Sequence, residues 1–245
     1  MFLFKKSAPL LKDIIPQNYI DIHSHLLPSI DDGSKNIEDT IAMIIELNKL
    51  GFAKFVTTPH VMTFVWENSR NTIEQTLNET KKKLLDSNIL NPIKSGAEYM
   101  MDINFLKLVN SEKLLTLKDD YVLVEMSYLN APIQLYDIIF DLQLAGYIPV
   151  LAHPERYNFY HNNLNEYKKL KNAGCLFQLN LLSTTGYYGP QISKIADYLL
   201  QQNMINFVGS DVHHQKHIDF ISKKIVLKNH LKLNDIFQNN MIFDF

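Results

Sequence analysis

Residues 19–34 read YIDIHSHLLPSIDDGS. An apolar run of strand character leads into two histidines two positions apart, His23 and His25, and then into Asp31 and Asp32 against a glycine. Side chains two apart on an extended chain point to one face, so His23 and His25 address the same side. The stretch suits a decorated strand end followed by a helix cap, with Asp32 capping a helix that begins near Ile37. It suits equally the first part of a metal site whose other ligands lie far along the chain.

Further short runs rich in β-branched and aromatic residues follow: AKFVTT from 53, NPIKSG from 91, YVLVEM from 121, YIPVLA from 147, CLFQLN from 175 and INFVGS from 205. Between most of them lies helical periodicity, as in Ile37 to Leu50, Thr72 to Leu85, Ile133 to Leu144 and Ile192 to Gln202. Gly51, Gly146 and Gly174 stand where helices of this kind stop. Strands alternating with helices at intervals of about 30 residues predict parallel βα units, hence the α/β class. A barrel of seven or eight strands and an open doubly wound sheet both fit.

The chain has 245 residues, 46% of them hydrophobic, with no linker-like composition shift. A single domain over 1–245 is expected, with an N-terminal extension at 1–17 and a C-terminal tail at 228–245. The tail's amphipathic LKLNDIFQNNMIFDF is expected to dock on the barrel or on a neighbouring subunit. A net charge of −2 with scattered lysines creates no field that favours nucleic acid, and Lys81 to Lys83 reads as a solvated helix face. No apolar run is long enough for a signal segment or a membrane span, so the expected location is the cytoplasm. The single cysteine, Cys175, excludes an internal disulfide.

The ligand-type residues fall in a pattern. His23 and His25 follow the first strand, His60 the second and Glu98 the third, while Glu125, His153 and the pair Asp211 and His213 end later strands. The C-terminal ends of parallel barrel strands are where catalytic groups gather. Any one of these side chains could be an ordinary packed or paired group; six strand ends carrying one together argue for a metal site. Imidazole and carboxylate without thiolate suit a hydrolytic centre of manganese, iron, zinc or magnesium. So many candidate ligands imply two or three divalent ions. Four carboxylates, Asp32, Glu98, Glu125 and Asp211, against three dications leave a positive site that favours an anion such as a phosphoryl group. Arginine occurs twice, at Arg70 and Arg156. Arg156 lies three residues after His153 and offers forked donors to phosphate, the plain alternative being a surface ion pair with Glu155.

The ordered motifs DIHSH, DDG, TPH, GAE, EMS, AHPERY and SDVHH resemble the polymerase and histidinol phosphatase (PHP) superfamily, and within it the bacterial metal-dependent protein-tyrosine phosphatases of capsule and exopolysaccharide regulation. The resemblance spans about Tyr19 to His213. It implies a distorted (βα)7-type TIM-like barrel holding a trinuclear centre, manganese being the expected ion. His23, His25, Glu98 and Asp211 would hold the first ion; Glu98, Glu125 and His153 the second; Asp32, His60 and His213 the third. Arg156 would grip the phosphate as catalytic and substrate-binding residue. Relatives often carry an arginine shortly after the last motif; here Lys216 and His217 stand in that region, and His214 and His217 read as rim residues.

The expected function is hydrolysis of phosphotyrosine on a protein, such as a bacterial tyrosine kinase, by a hydroxide bridging two ions. The alternatives are a PHP phosphoesterase of a small metabolite such as histidinol phosphate, and a non-catalytic module that binds a phosphoprotein. A cysteine phosphatase lacks support, because six positions after Cys175 stands Leu181, not arginine. Phe64, Trp66, Tyr187 and Tyr188 are loop aromatics that could flank a phenyl ring.

Overall fold

The computed structural model describes residues 8–245. The first residues of the N-terminal extension lie outside them. The elements in chain order are β1 (Tyr19–Asp21), α1 (Ile37–Lys49), β2 (Phe52–Thr57), β3 (His60–Val61), α2 (Arg70–Asp86), β4 (Ile93–Ser95), β5 (Glu98–Met100), α3 (Ile103–Ser111), β6 (Tyr121–Glu125), α4 (Leu135–Leu144), β7 (Ile148–Ala152), α5 (Asn165–Asn172), β8 (Leu176–Asn180), α6 (Pro190–Gln201), β9 (Phe207–Gly209), α7 (Gln215–Ile221) and α8 (Leu233–Asn239).

Among the described residues every pairing of these strands is parallel, as the βα alternation requires, in two sheets ordered β1-β2-β4 and β3-β5-β6-β7-β8-β9. The α/β class holds; of the barrel or open sheet that the sequence left open and the distorted (βα)7-type barrel that the resemblance implies, the described ladders show parallel sheets without closure. Two of the predicted strand runs break and resume at their C-terminal ends. β2 is separated from β3 by Thr58 and Pro59, and Pro59 has no N–H to offer a ladder. Across the break Gly96 N donates to Thr57 O at 2.9 Å and Glu98 N to Pro59 O at 3.1 Å, so the paired segments stay in step. His60 and Glu98 therefore open short second strands and do not sit in loops. The segments following β1 and β9 also meet: Asp211 N donates to His23 O at 2.7 Å and His25 N to Val212 O at 2.9 Å.

Strand alternation divides the core. Val122 and Val124 join the large cluster beneath the helices, whereas Leu123 faces a smaller one with Ile20, Val56, Val150 and Phe207. The tail completes the smaller cluster. Phe243 is fully buried, its ring 5.3 Å from Tyr121 and 4.9 Å from Phe207, both at strand starts. Asn240 ties the tail to the sheet, donating from Nδ2 to Ile20 O and Val208 O and accepting from Val208 N. Of the two places open to it from sequence, the tail takes the body of its own chain and closes the end opposite the ligand-type residues. No helix among the described residues is long and apolar enough to cross a membrane.

Candidate metal centre

The C-terminal strand ends surround an open cavity of about 670 Å³. Asp32, His60, Glu125, His153, Asp211 and His213 line it, and with the fully buried His23, His25 and Glu98 all nine ligand-type residues singled out from sequence fall in four overlapping groups, the ligand atoms of each lying within 4.8 Å of one another. The groups are His25, Asp32, His60 and His213; His23, Glu98 and His153; His23, His25 and Asp211; and His60, Glu98 and Glu125. Glu98 belongs to two of these groups and so links Glu125 to His153: His60 Nδ1 lies 2.9 Å from Glu125 Oε1, and His153 Nε2 lies 3.0 Å from Glu98 Oε1. Direct attraction between imidazole and carboxylate accounts for both contacts.

Local structure aims each group. Asn36, not Asp32, caps α1 by accepting from Asp39 N, which leaves the Asp32 carboxylate 3.4 Å from His60 Nε2 and 3.5 Å from His213 Nε2. Asp31 Oδ2 accepts from His25 Nδ1 at 2.8 Å and from His60 N at 3.2 Å, and Asp31 Oδ1 accepts from Gly33 N. A Cβ on Gly33 would lie 2.3 Å from His25 O, so only glycine lets this turn fold back on the histidine. His23 Nδ1 meets Gln178 Oε1 at 2.7 Å, and the Gln178 amide is oriented by donating from Nε2 to Leu179 O. With Nδ1 donating in both rings, Nε2 of His23 and of His25 is left toward the carboxylates of Glu98 and Asp211, the two nitrogens 3.3 Å apart. His153 and Asp211 adopt positive φ of 35° and 52°, a left-handed backbone that bends the chain at two strand ends.

The electrostatics are those of anionic groups gathered out of water. Burial would lower the His23 pKa, but Glu98 and Asp211 outweigh it and raise it to about 10. Glu98 is held well below the carboxylate range by His23 and His60 against its own burial, while burial and the Glu98 charge push Glu125 up. Burial sets His153 at about 4, opposed by its hydrogen bond to Glu98. Glu98 Oε2, Glu125 Oε1 and His60 Nδ1 are buried and make no hydrogen bond. Orphaned acceptors of this kind, converging with lone-pair nitrogens, fit divalent cations: each such atom costs free energy unless a positive centre satisfies it.

The arginine and its surroundings depart from the surface-pair alternative. Glu155 is fully buried, accepting at Oε1 from Asn180 N and Ser183 Oγ. Arg156 instead donates from Nη1 to Asp211 Oδ2 at 2.8 Å, on the cavity wall. Arg70 lies elsewhere, bonded to Glu74 and to the carbonyls of Lys113 and Leu114. His214 and His217 both line the cavity; His214 is exposed, whereas His217 is buried and its Nδ1 accepts from His213 N at 3.2 Å. Trp66, Tyr187 and Tyr188 line the cavity; Phe64 is not among its lining residues and is 87% exposed.

The model of the capsular polysaccharide synthesis family CpsB/CapC matches residues 19–225, most of the chain and all nine converging residues. The chain belongs to the CpsB/CapC family. It is 32% identical over 202 residues to the tyrosine-protein phosphatase YwqE of Bacillus subtilis, covering 82% of this chain and 80% of that protein. It is 29% identical over 238 residues to the tyrosine-protein phosphatase CpsB of Streptococcus pneumoniae, covering 90% and 96%. A crystal structure from work on those two proteins, described there as metal-dependent tyrosine phosphatases, matches with a TM-score of 0.78 at 28% identity over 91% of this chain and 90% of that one.

In this CpsB/CapC member, sequence reasoning left Asp31 without a role and passed over Gln178, Asn180 and Tyr128 altogether. Asp31 had a local signal, its place in DDG five residues before the helix cap Asn36. Gln178 and Asn180 had only strand alternation, which sets them on one face of β8 with nothing to say what that face meets.

Proposed function

We propose that this chain is a metal-dependent phosphomonoesterase that removes phosphate from tyrosine side chains of a protein, with a capsule- or exopolysaccharide-regulating tyrosine kinase in the cytoplasm as its substrate. The observation that carries this reading is the convergence of nine imidazole and carboxylate groups with the forked donor of Arg156 at one open cavity. The names borne by its relatives support the phosphotyrosine assignment. We read 1–245 as one domain, and its two parallel sheets, tied at their ends, as a distorted barrel.

His23, His25, Glu98 and Asp211 would hold one divalent ion, Glu98, Glu125 and His153 a second, and Asp32, His60 and His213 a third, manganese being our assignment. Such ions supply a water of lowered pKa and positive charge at phosphoryl oxygens. The chain contributes orientation. Gln178 and Asp31 hold the tautomers of His23 and His25, Asp211 anchors Arg156, and Arg156 presents its remaining donors to the phosphoryl oxygens, where charge gathers during transfer. A phenolate, with a pKa of about 10, departs with less protonic help than an alkoxide, which lightens the demand for a general acid.

The test is turnover of a phosphotyrosine peptide by protein treated with chelator and then reloaded with manganese. Activity should vanish and return, and His23→Ala or Asp211→Ala should lose turnover and bound metal together. Full activity in the stripped protein would overturn the reading. Faster turnover of histidinol phosphate than of the peptide would move it to a small-metabolite phosphoesterase.

A further inference from the structure

Tyr128 stands in the loop after β6, three residues beyond Glu125, and is 45% exposed on the cavity wall. Its ring is not free to wander. It lies 4.7 Å from the guanidinium carbon of Arg156, stacks on His153 at 5.8 Å and 28°, and contacts Tyr157 at 5.9 Å. Tyr188 meets the same guanidinium at 4.2 Å, and its hydroxyl accepts from Asn180 Nδ2 at 3.2 Å. Two rings therefore hold one cation. Contact with an aromatic face engages the charge of arginine and not its N–H groups, and among the described residues its side chain donates one hydrogen bond, to Asp211. The other donors stay available for phosphate.

We propose that Tyr128 is the aryl-recognition residue of this site, selecting phosphate esters of phenols over those of alcohols, and that Tyr188 is a positioning residue for Arg156. The inference rests on the phosphomonoesterase reading and deepens it. A phosphate gripped by Arg156 carries its leaving group on a single ester oxygen, so an aryl ring begins immediately beside the guanidinium. Tyr128 occupies that position with nearly half its surface open. Met62, Trp66 and Met100 line the same cavity, so a planar ring entering it meets apolar surface beyond Tyr128 as well. A serine ester would present only a methylene at this level, with too little surface to stack on the tyrosine ring.

The experiment compares phenylphosphonate with methylphosphonate as inhibitors of the metal-loaded enzyme, in the wild type and in Tyr128→Leu, Tyr128→Ser and Tyr128→Phe. Titration calorimetry supplies the same two affinities without turnover. The phenyl compound should bind the wild type more tightly, by about fivefold to tenfold, as an aromatic pair contributes. Tyr128→Leu and Tyr128→Ser should remove most of that advantage, weakening phenylphosphonate several-fold more than methylphosphonate, while Tyr128→Phe keeps it. Tyr188→Leu should weaken both compounds equally by loosening Arg156. A phenyl advantage that survives both Tyr128→Leu and Tyr128→Ser, or equal losses for the two compounds, would overturn the role of Tyr128. Calorimetric selectivity lost in these variants, in a protein that turns over no phosphate ester, would support the aryl site and refute the catalytic reading alone.

Discussion

Arg156 donates from Nη1 to Oδ2 of Asp211 at 2.8 Å, and the other oxygen of that carboxylate lies 3.3 Å from Nε2 of His23. One aspartate thus joins the arginine to the histidine cluster. Asn180 Nδ2 donates to the same Oδ2 at 2.7 Å, so Asp211 keeps a partner when the arginine is removed. Arg156→Ala should lower kcat/KM on a phosphotyrosine peptide by about a hundredfold or more, as loss of one preorganised donor to a reacting oxyanion does. Inhibition by inorganic phosphate should weaken in parallel, while elemental analysis finds the metal content of the wild type. Metal lost along with activity would show that the arginine serves the cluster and not the phosphate.

Asp31 touches no proposed ion, yet it holds His25 by Nδ1. Asp31→Ala should weaken metal affinity by about 10-fold to 100-fold, the usual cost of removing an outer partner from a ligating histidine. Competition against a calibrated chelator measures this directly. Unchanged affinity would mean that packing alone orients the His25 ring.

Glu155 yields a pH dependence. Burial raises its pKa from 4.5 to about 7, although Ser183 and Asn180 N–H oppose the shift. The native state then keeps a proton that the unfolded state releases between those values, so stability falls as pH rises through that window and levels off above it. The loss is on the order of 3 kcal/mol. Glu155→Gln should match the wild type in urea unfolding near pH 5 and exceed it at pH 8. Equal midpoints at pH 8 would place the ionised carboxylate at no disadvantage in the fold.

Phe243 is buried at the end opposite the cavity. Phe243→Ala should destabilise the protein by about 3–5 kcal/mol through lost burial and the void left behind. Below its melting transition the variant should retain wild-type kcat, since the ligand-type residues sit at the other end of the strands. A large fall in kcat without a fall in thermal midpoint would contradict this separation.

The parallel βα order was readable because period-2 and period-3.6 patterns separate cleanly here. The positive φ of Gly51, Gly146 and Gly174 follows from their places just after helices. The interruption of β2 and β4 was not readable, although Pro59 and Gly96 stand at the breaks, since either residue also occurs harmlessly at a strand end. The tail's apolar spacing announced a docked segment. Its partner required the strand starts to be assembled first.

The candidate ligands were legible for a related reason: imidazole and carboxylate carry their chemistry in the residue type, and strand-end placement needs only local pattern. Sequence alone therefore determined the α/β class, the candidate set from His23 to His213, and the arginine beside it. Tertiary structure decided what surrounds that set. Gln178 reaches His23 across 155 positions, Glu155 is buried beside an arginine that pairs elsewhere, and Tyr128 and Tyr188 converge on Arg156 from separate loops. Hydrogen-bond partners, burial and ring contacts depend on distances between segments remote along the chain, and only the packed fold sets those distances.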